Sequence, residues 1–156
     1  MKVAVAFDHR GVHLRNMILE TLAADGHAIV DLGTDTDAQR IDYPDKAREV
    51  GEAVNDRRAE RGILVCGSGV GASVAACKIA GIRAAVCHDT YSAHQGVEHD
   101  DMNVICLGAR IIGSALATEI VMHFLAAKFS GEERHARRLA KMKAIEAEYF
   151  KAPVAK

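Results

Sequence analysis

The sequence predicts an α/β fold: a Rossmann-like, doubly wound, five-stranded parallel sheet in a three-layer α/β/α arrangement, with one extra helix at the C-terminal end. Two observations lead there. Short β-branched runs alternate along the chain with longer segments of helical period, and such alternation implies parallel strands joined by right-handed crossovers that cover both faces. The chain has 156 residues, 49% hydrophobic and 26% charged, with a formal net charge of −1, which suits one globular domain that buries its own core.

Val3–Phe7 is an unbroken apolar run closed by Asp8, as a strand buried on both faces requires, and Val12–Ala24 follows with helical period. Ile29–Leu32 is the second strand, and Asp45–Asp56 the second helix, with Pro44 near its first turn. Ile63–Cys66 runs into a glycine-rich turn that opens the helix Ala72–Ile79. Ala84–Cys87 and Val104–Leu107 are the last two strands, separated by the helix Tyr91–Glu98 and followed by Ser114–Phe129. Beyond the turn Ser130-Gly131 lies a charged helical segment, Glu132–Phe150, with no strand after it. Residues 1–130 therefore read as the domain and 131–156 as a helical extension suited to packing on a partner subunit.

Several classes are excluded. Cys66, Cys77, Cys87 and Cys106 form no CxxC and no Cys/His cluster, which removes zinc-ribbon and thioredoxin readings and fits a reduced cytoplasm. Val3–Phe7 is too short for a signal-peptide core, and the apolar stretch Ile120–Ala127 is broken by His123, so no membrane segment is expected. Near-neutral charge argues against nucleic acid as a partner. A small molecule remains.

In open α/β sheets the site lies beyond the carboxyl ends of the strands. After the third strand comes Cys66-Gly67-Ser68-Gly69-Val70-Gly71, a strand, turn and helix start whose amides converge on one point and suit an anion. Gly67, Gly69 and Ala72 also satisfy the GxGxxA dinucleotide pattern, with Asp89 at the distance of a ribose-binding acid; two strands precede this loop, where the fingerprint normally follows the first. Cys66 sits where backbone amides favour thiolate and is a candidate base or nucleophile, whereas Cys77, Cys87 and Cys106 read as small buried hydrophobes.

Asp8-His9 and His99-Asp100-Asp101 supply acid and imidazole for work on a hydroxyl, although Asp8 equally suits a helix cap and His99 a solvated loop. His9, His13, His94 and His99 match no metal-ligand spacing. Arg134 and Arg138, one helical turn apart, can grip a phosphate or simply form part of a basic solvated face. Arg110, beyond the fifth strand, lies at the expected crevice, and Tyr43 in Asp42-Tyr43-Pro44 could stack on a ligand.

These motifs, with Gly81-Ile82-Arg83-Ala84-Ala85, Asn103-Val104, Leu107-Gly108-Ala109-Arg110 and Arg134-His135, run in an order that resembles the type B ribose-5-phosphate isomerases, a family that also contains galactose-6-phosphate isomerase subunits. The likeness extends from about residue 2 to residue 145. The resemblance implies an aldose–ketose isomerase of a phosphorylated monosaccharide with neither metal nor redox cofactor, and ribose 5-phosphate as the leading substrate. It makes Cys66 the base between C1 and C2, and sets the amides from Gly67 through Ser68, Gly69 and Val70 to Gly71 on the enediolate oxygen. By the same resemblance His99 opens the furanose with Asp8 in support, and His9, Arg134 and Arg138 bind phosphate with Arg110 nearby. It further implies a homodimer with shared active sites, which leaves further assembly into a tetramer open.

Two positions depart from the family pattern. Asp100 stands where the family commonly has asparagine, and Arg10 where it has a small residue. An ionised aspartate accepts hydrogen bonds but cannot donate one to an enediolate, so Asp100 must be protonated, turned away or paired, with Arg10 as one partner. The swap also keeps a tetrose 4-phosphate, allose 6-phosphate or galactose 6-phosphate open as substrate. Outside that class stand an NAD-binding protein and a non-catalytic sugar-phosphate sensor.

Overall fold

Five successive residues from Val3 to Phe7 are fully buried, so only neighbouring strands can satisfy their backbone groups. Strand β1 (Lys2–Phe7) accordingly pairs on both sides, with β2 (Ala28–Asp31) and β3 (Arg61–Cys66). β5 (Val104–Gly108) pairs next to β3, and β4 (Ala84–Val86) closes the far edge. The order is β2-β1-β3-β5-β4, parallel throughout, in a computed structural model that describes residues 1–150. From β1 the chain winds outward to β2, then crosses back to β3. The carboxyl ends of β1 and β3 flank the reversal, where such sheets bind ligands.

The two faces are covered unequally. Under α1 (Arg15–Ala24), α4 (Thr90–Asp100) and α5 (Ser114–Ala126) lies a thick layer that includes Phe7, Ile18, Leu22, Ile105, Leu107 and Phe124. Under α2 (Tyr43–Asn55) and α3 (Val70–Ala76) the layer is thin, built on Ala4, Ala6, Ala47, Ala53, Ala72 and Ala76. Glycines bring these helices closer still: a Cβ on Gly62 would lie 2.4 Å from Val50 Cγ1, and one on Gly51 would lie 2.5 Å from Ile79 Cδ1. The last helix, α6 (Glu133–Tyr149), rests on α4 with only His135 and Leu139 buried. Residues 151–156 of the expected extension lie outside the described residues. Among the described residues no helix is long and apolar enough to cross a membrane.

The expected elements are all present, and several of their ends move for identifiable reasons. The first helix opens with a 3-10 turn, Gly11–Leu14, where Gly11 is pressed on the backbone of β3: a Cβ there would stand 2.1 Å from the Val65 carbonyl oxygen. α3 ends three residues before Ile79, as Lys78 and Ile79 turn back onto the carbonyls of Ala75 and Ala76. α4 runs two residues past Glu98, which places His99 in its last turn and not in a loop. Arg83 fixes that end: it donates to the Asp101 carbonyl at 2.6 Å and its carboxylate at 2.7 Å, and Asp101 leaves the helix at φ 53°. Asn103 completes the latch by accepting from the Arg83 amide and donating to the Gly81 carbonyl.

Candidate active site

The turn after β3 begins at a buried thiol. Cys66 is buried at the strand end, and the Gly69 amide donates to its Sγ at 3.2 Å, the kind of donor that stabilises a thiolate. Gly69 adopts φ 80°, a left-handed conformation that L side chains rarely take, and packs on the backbone of residues 106–108. The Ala109 and Arg110 amides donate to the Cys66 and Gly67 carbonyls at 2.9 and 3.0 Å, so the end of β5 holds the loop from below. Ser68 is exposed at the crest, with its Oγ 3.4 Å from the Val70 amide that donates to it. Gly71 lies against Tyr43, whose ring would be 2.6 Å from a Cβ there. Asp42 precedes Tyr43 as the exposed cap residue of α2 and makes no side-chain cap bond.

On the β1 side, Asp8 is buried and its Oδ1 accepts from the Arg10 and Gly11 amides at 2.8 Å each. It caps the turn, as its position before Gly11 allowed. His9 Nδ1 lies 3.3 Å from both the Ile41 carbonyl oxygen and the Ile41 amide, which ties the ring to the α2 approach. Between these elements opens a cavity of about 250 Å³ lined by His9, Arg10, His13, Asp37, Arg40 and Arg110. Among the described residues the three arginines have no ion-pair partner, and such a concentration of guanidinium groups is suited to a phosphate. Arg40 was invisible as a site residue in the sequence because nothing local brings the segment before α2 against β1.

A second cluster gathers at α4 and α6. His99 stacks on His135 with ring centroids 4.0 Å apart, and its Nε2 lies 3.7 Å from the Glu98 carboxylate. Arg134 and Arg138 stand one turn apart on α6; Arg134 donates to Glu132 at 2.9 Å. Asp100 is exposed and faces a different, largely apolar hollow beside Met102 and Met142. Within one chain no hydrogen bond or ion pair among the described residues joins Asp8 to His99 or Asp100 to Arg10. The structure thus brings Cys66, Gly67, Ser68, Gly69, Val70, Gly71, Asp8, His9, Asp42, Tyr43 and Arg110 to one end of the sheet, leaves His99, Arg134 and Arg138 in another group, and sets Asp100 on the separate apolar hollow.

The other thiols differ from one another. Burial, aided by the Asp89 carboxylate, pushes the Cys87 thiol up to about 11, and burial also pushes the Cys106 thiol well above its ordinary value, so both stay protonated. Cys77 corrects the expectation of a buried hydrophobe: it is exposed, because α3 stops at Ala76 and turns it outward, with its thiol donating to the Ala84 carbonyl at 3.1 Å.

Burial lowers the basicity of His135, with His99, Arg134 and Arg138 adding to the effect and Glu132 opposing it. Between the ordinary histidine value of about 6.5 and that lowered value, the unfolded chain binds a proton that the folded chain refuses. Stability is therefore lost as the pH falls through this window. The urea midpoint should drop across it, and the drop should be smaller in His135→Phe.

Comparison with known proteins decides the family. A family model described as Ribose/Galactose Isomerase matches residues 3–142. The chain belongs to this family. Ribose-5-phosphate isomerase B of Escherichia coli is 43% identical over 145 residues, 93% of this chain and 96% of that protein. D-erythrulose-4-phosphate isomerase of Pectobacterium atrosepticum is 40% identical over 131 residues, 84% and 86% of the two chains. The structure of Clostridium thermocellum ribose-5-phosphate isomerase B superposes with a TM-score of 0.91 at 43% identity, over 96% of this chain and 99% of that one. The class expected from the sequence, an isomerase of sugar phosphates, is the class of this ribose/galactose isomerase family, and its fold is the fold described above.

Proposed function

We propose that the protein interconverts D-ribose 5-phosphate and D-ribulose 5-phosphate through an enediolate, with Cys66 as the base and no cofactor. The observation that carries this reading is the Cys66 sulfur, held by the Gly69 amide at the mouth of an amide-lined turn, next to the arginine-rich cavity. Sγ takes the proton from C2 of the open-chain aldose while charge develops on O1, and returns it to C1; the hydroxyl proton passes from O2 to O1. The loop amides from Gly67 to Gly71, with the Ser68 hydroxyl, stabilise the oxyanion, and each such donor is worth about 10²–10³ in rate. The phosphate anchors in the cavity, so that remote binding energy fixes the reacting carbons beside the thiol.

The second cluster serves a neighbouring subunit in this reading: in a homodimer, His99 opens the sugar ring over the partner's thiol, Arg134 and Arg138 complete the phosphate site, and the α6 extension packs across the interface. Asp8 and Asp100 contribute from the two sides. The reaction belongs in the cytoplasm, where the four thiols stay reduced. A tetrose 4-phosphate is the second reading for the substrate, favoured by the similarity to the Pectobacterium enzyme.

The test is turnover of ribose 5-phosphate beside erythrose 4-phosphate, allose 6-phosphate and galactose 6-phosphate. Ribose 5-phosphate should be the best substrate; binding of all four with turnover of none would overturn the reading. Arg40→Ala should raise KM about tenfold with kcat nearly unchanged, the loss of one charged contact made equally to substrate and transition state. Mixing Cys66→Ala chains with Arg134→Ala/Arg138→Ala chains should restore up to about a quarter of native activity, since half the dimers are hybrids and one of their two sites is intact.

A further inference from the structure

α6 is a polar helix with two buried residues, Leu139 and, one turn before it, His135 at 1% exposure. Leucine would fill that position without any polar atom to satisfy. The imidazole instead leaves its Nε2 buried with no partner among the described residues, an arrangement that costs free energy and calls for a reason. Its other nitrogen, Nδ1, is 2.7 Å from Ser130 Oγ. The Ser130 amide in turn donates to the Glu98 carbonyl at 3.0 Å, in the turn of α4 that carries His99. The two rings lie 28° from coplanar with centroids 4.0 Å apart. Glu98, His99, Ser130 and His135 thus form one connected unit that joins α4 to the start of α6.

We propose that His135 is a positioning residue for His99: anchored by Ser130 and stacked on the His99 ring, it fixes the plane in which that imidazole meets the sugar. Stacked imidazolium rings repel, and burial disfavours charge on His135 before its neighbours His99, Arg134 and Arg138 add to the effect. His99 is the accessible ring of the pair: its side chain is 27% exposed, and its Nε2 lies 3.7 Å from the Glu98 carboxylate. Glu132 and His94 are the remaining titratable groups of the cluster; His94 Nδ1 lies 3.6 Å from Glu98. The inference rests on the reading of His99 as the ring-opening group.

The experiment is a double-mutant cycle on the full chain, with ribose 5-phosphate as substrate and an acyclic phosphorylated hydroxamate, a mimic of the enediolate, as binding probe. His135→Ala should lower kcat about tenfold, the scale of a modest misplacement of a catalytic group, with KM and the Kd of the hydroxamate nearly unchanged. In a His99→Asn background the same change should cost nothing, because its effect passes through the missing ring. His135→Phe, which keeps a ring in the stack, should recover most of the loss, and it replaces the alanine variant if that one unfolds; Ser130→Ala should show a smaller loss of the same kind. A full tenfold loss persisting in the His99→Asn background, or weakened hydroxamate binding in His135→Phe and Ser130→Ala, would overturn the assignment of His135. Unchanged turnover in His99→Asn alone would instead overturn the ring-opening reading on which it rests.

Discussion

With Cys66 as the proposed base, Cys66→Ala should abolish isomerisation while leaving phosphosugar affinity close to that of the native chain. A positioned base contributes about 10²–10⁴ in rate, and no other thiol is placed to take over: Cys106 and Cys87 are held protonated by burial, and Cys77 faces outward from the far end of α3. The substitution removes one sulfur at a site where the loop is held by other bonds, the Ala109 and Arg110 amides on the Cys66 and Gly67 carbonyls. The loop and the cavity lined by His9, Arg40 and Arg110 should therefore persist. Calorimetric titration with ribose 5-phosphate, alongside a coupled assay for ribulose 5-phosphate, checks both halves. Residual turnover within tenfold of the native chain would remove Cys66 from the role of base.

Gly108→Ala is the second large effect, and it acts from below the site. A Cβ at Gly108 would stand 2.7 Å from the Ser68 carbonyl carbon and 2.8 Å from its oxygen, with Ile111 Cγ1 at 2.8 Å on the other side. The Ile111 side chain can rotate; the Ser68 backbone cannot move without taking the Gly67 to Gly71 amides with it. If these amides hold the enediolate as proposed, misaligning one of them lowers kcat by about 10²–10³, so a single methyl group outside the loop should nearly silence the enzyme. The buried β5 strand itself remains paired to β3 and β4, and a kcat collapse without a matching loss of cooperative unfolding is the expected signature.

The strands and the glycine turn were legible because their signals are local: an apolar run such as Val3–Phe7 has nowhere to go but the centre of a sheet, and glycines before a helix start mark a turn wherever they occur. The resemblance of ordered motifs carried the family. What was not legible depends on contacts between distant segments. The two-residue extension of α4 that carries His99 ends where Arg83 grips Asp101, and no periodicity in Tyr91–Glu98 announces it. The pairing of Arg40 with Arg10 and His13 around one cavity is likewise created by the approach of the α2 lead-in to β1. Burial of His135 did leave a trace: it stands four residues before Leu139, on the same face of the helix.

The unequal layers on the two faces of the sheet set different rules for how this sequence can drift. Beneath α1, α4 and α5, a large side chain such as Phe124 or Ile18 can shrink and a neighbour can grow to compensate, because cores tolerate such exchanges when total volume is kept. Beneath α2 and α3 there is less volume to trade, because alanines and glycines fill many of the inner positions between Val50, Leu64, Ile82 and Val104. Alanine and glycine already occupy the smallest sizes available, and any gain at Gly62 or Gly51 drives into Val50 or Ile79. Inherited variation on that side should be confined to the outward positions of the two helices, and a lineage that enlarged an inner one would lift Tyr43 off the glycine turn and change the enzyme's chemistry before it lost the fold.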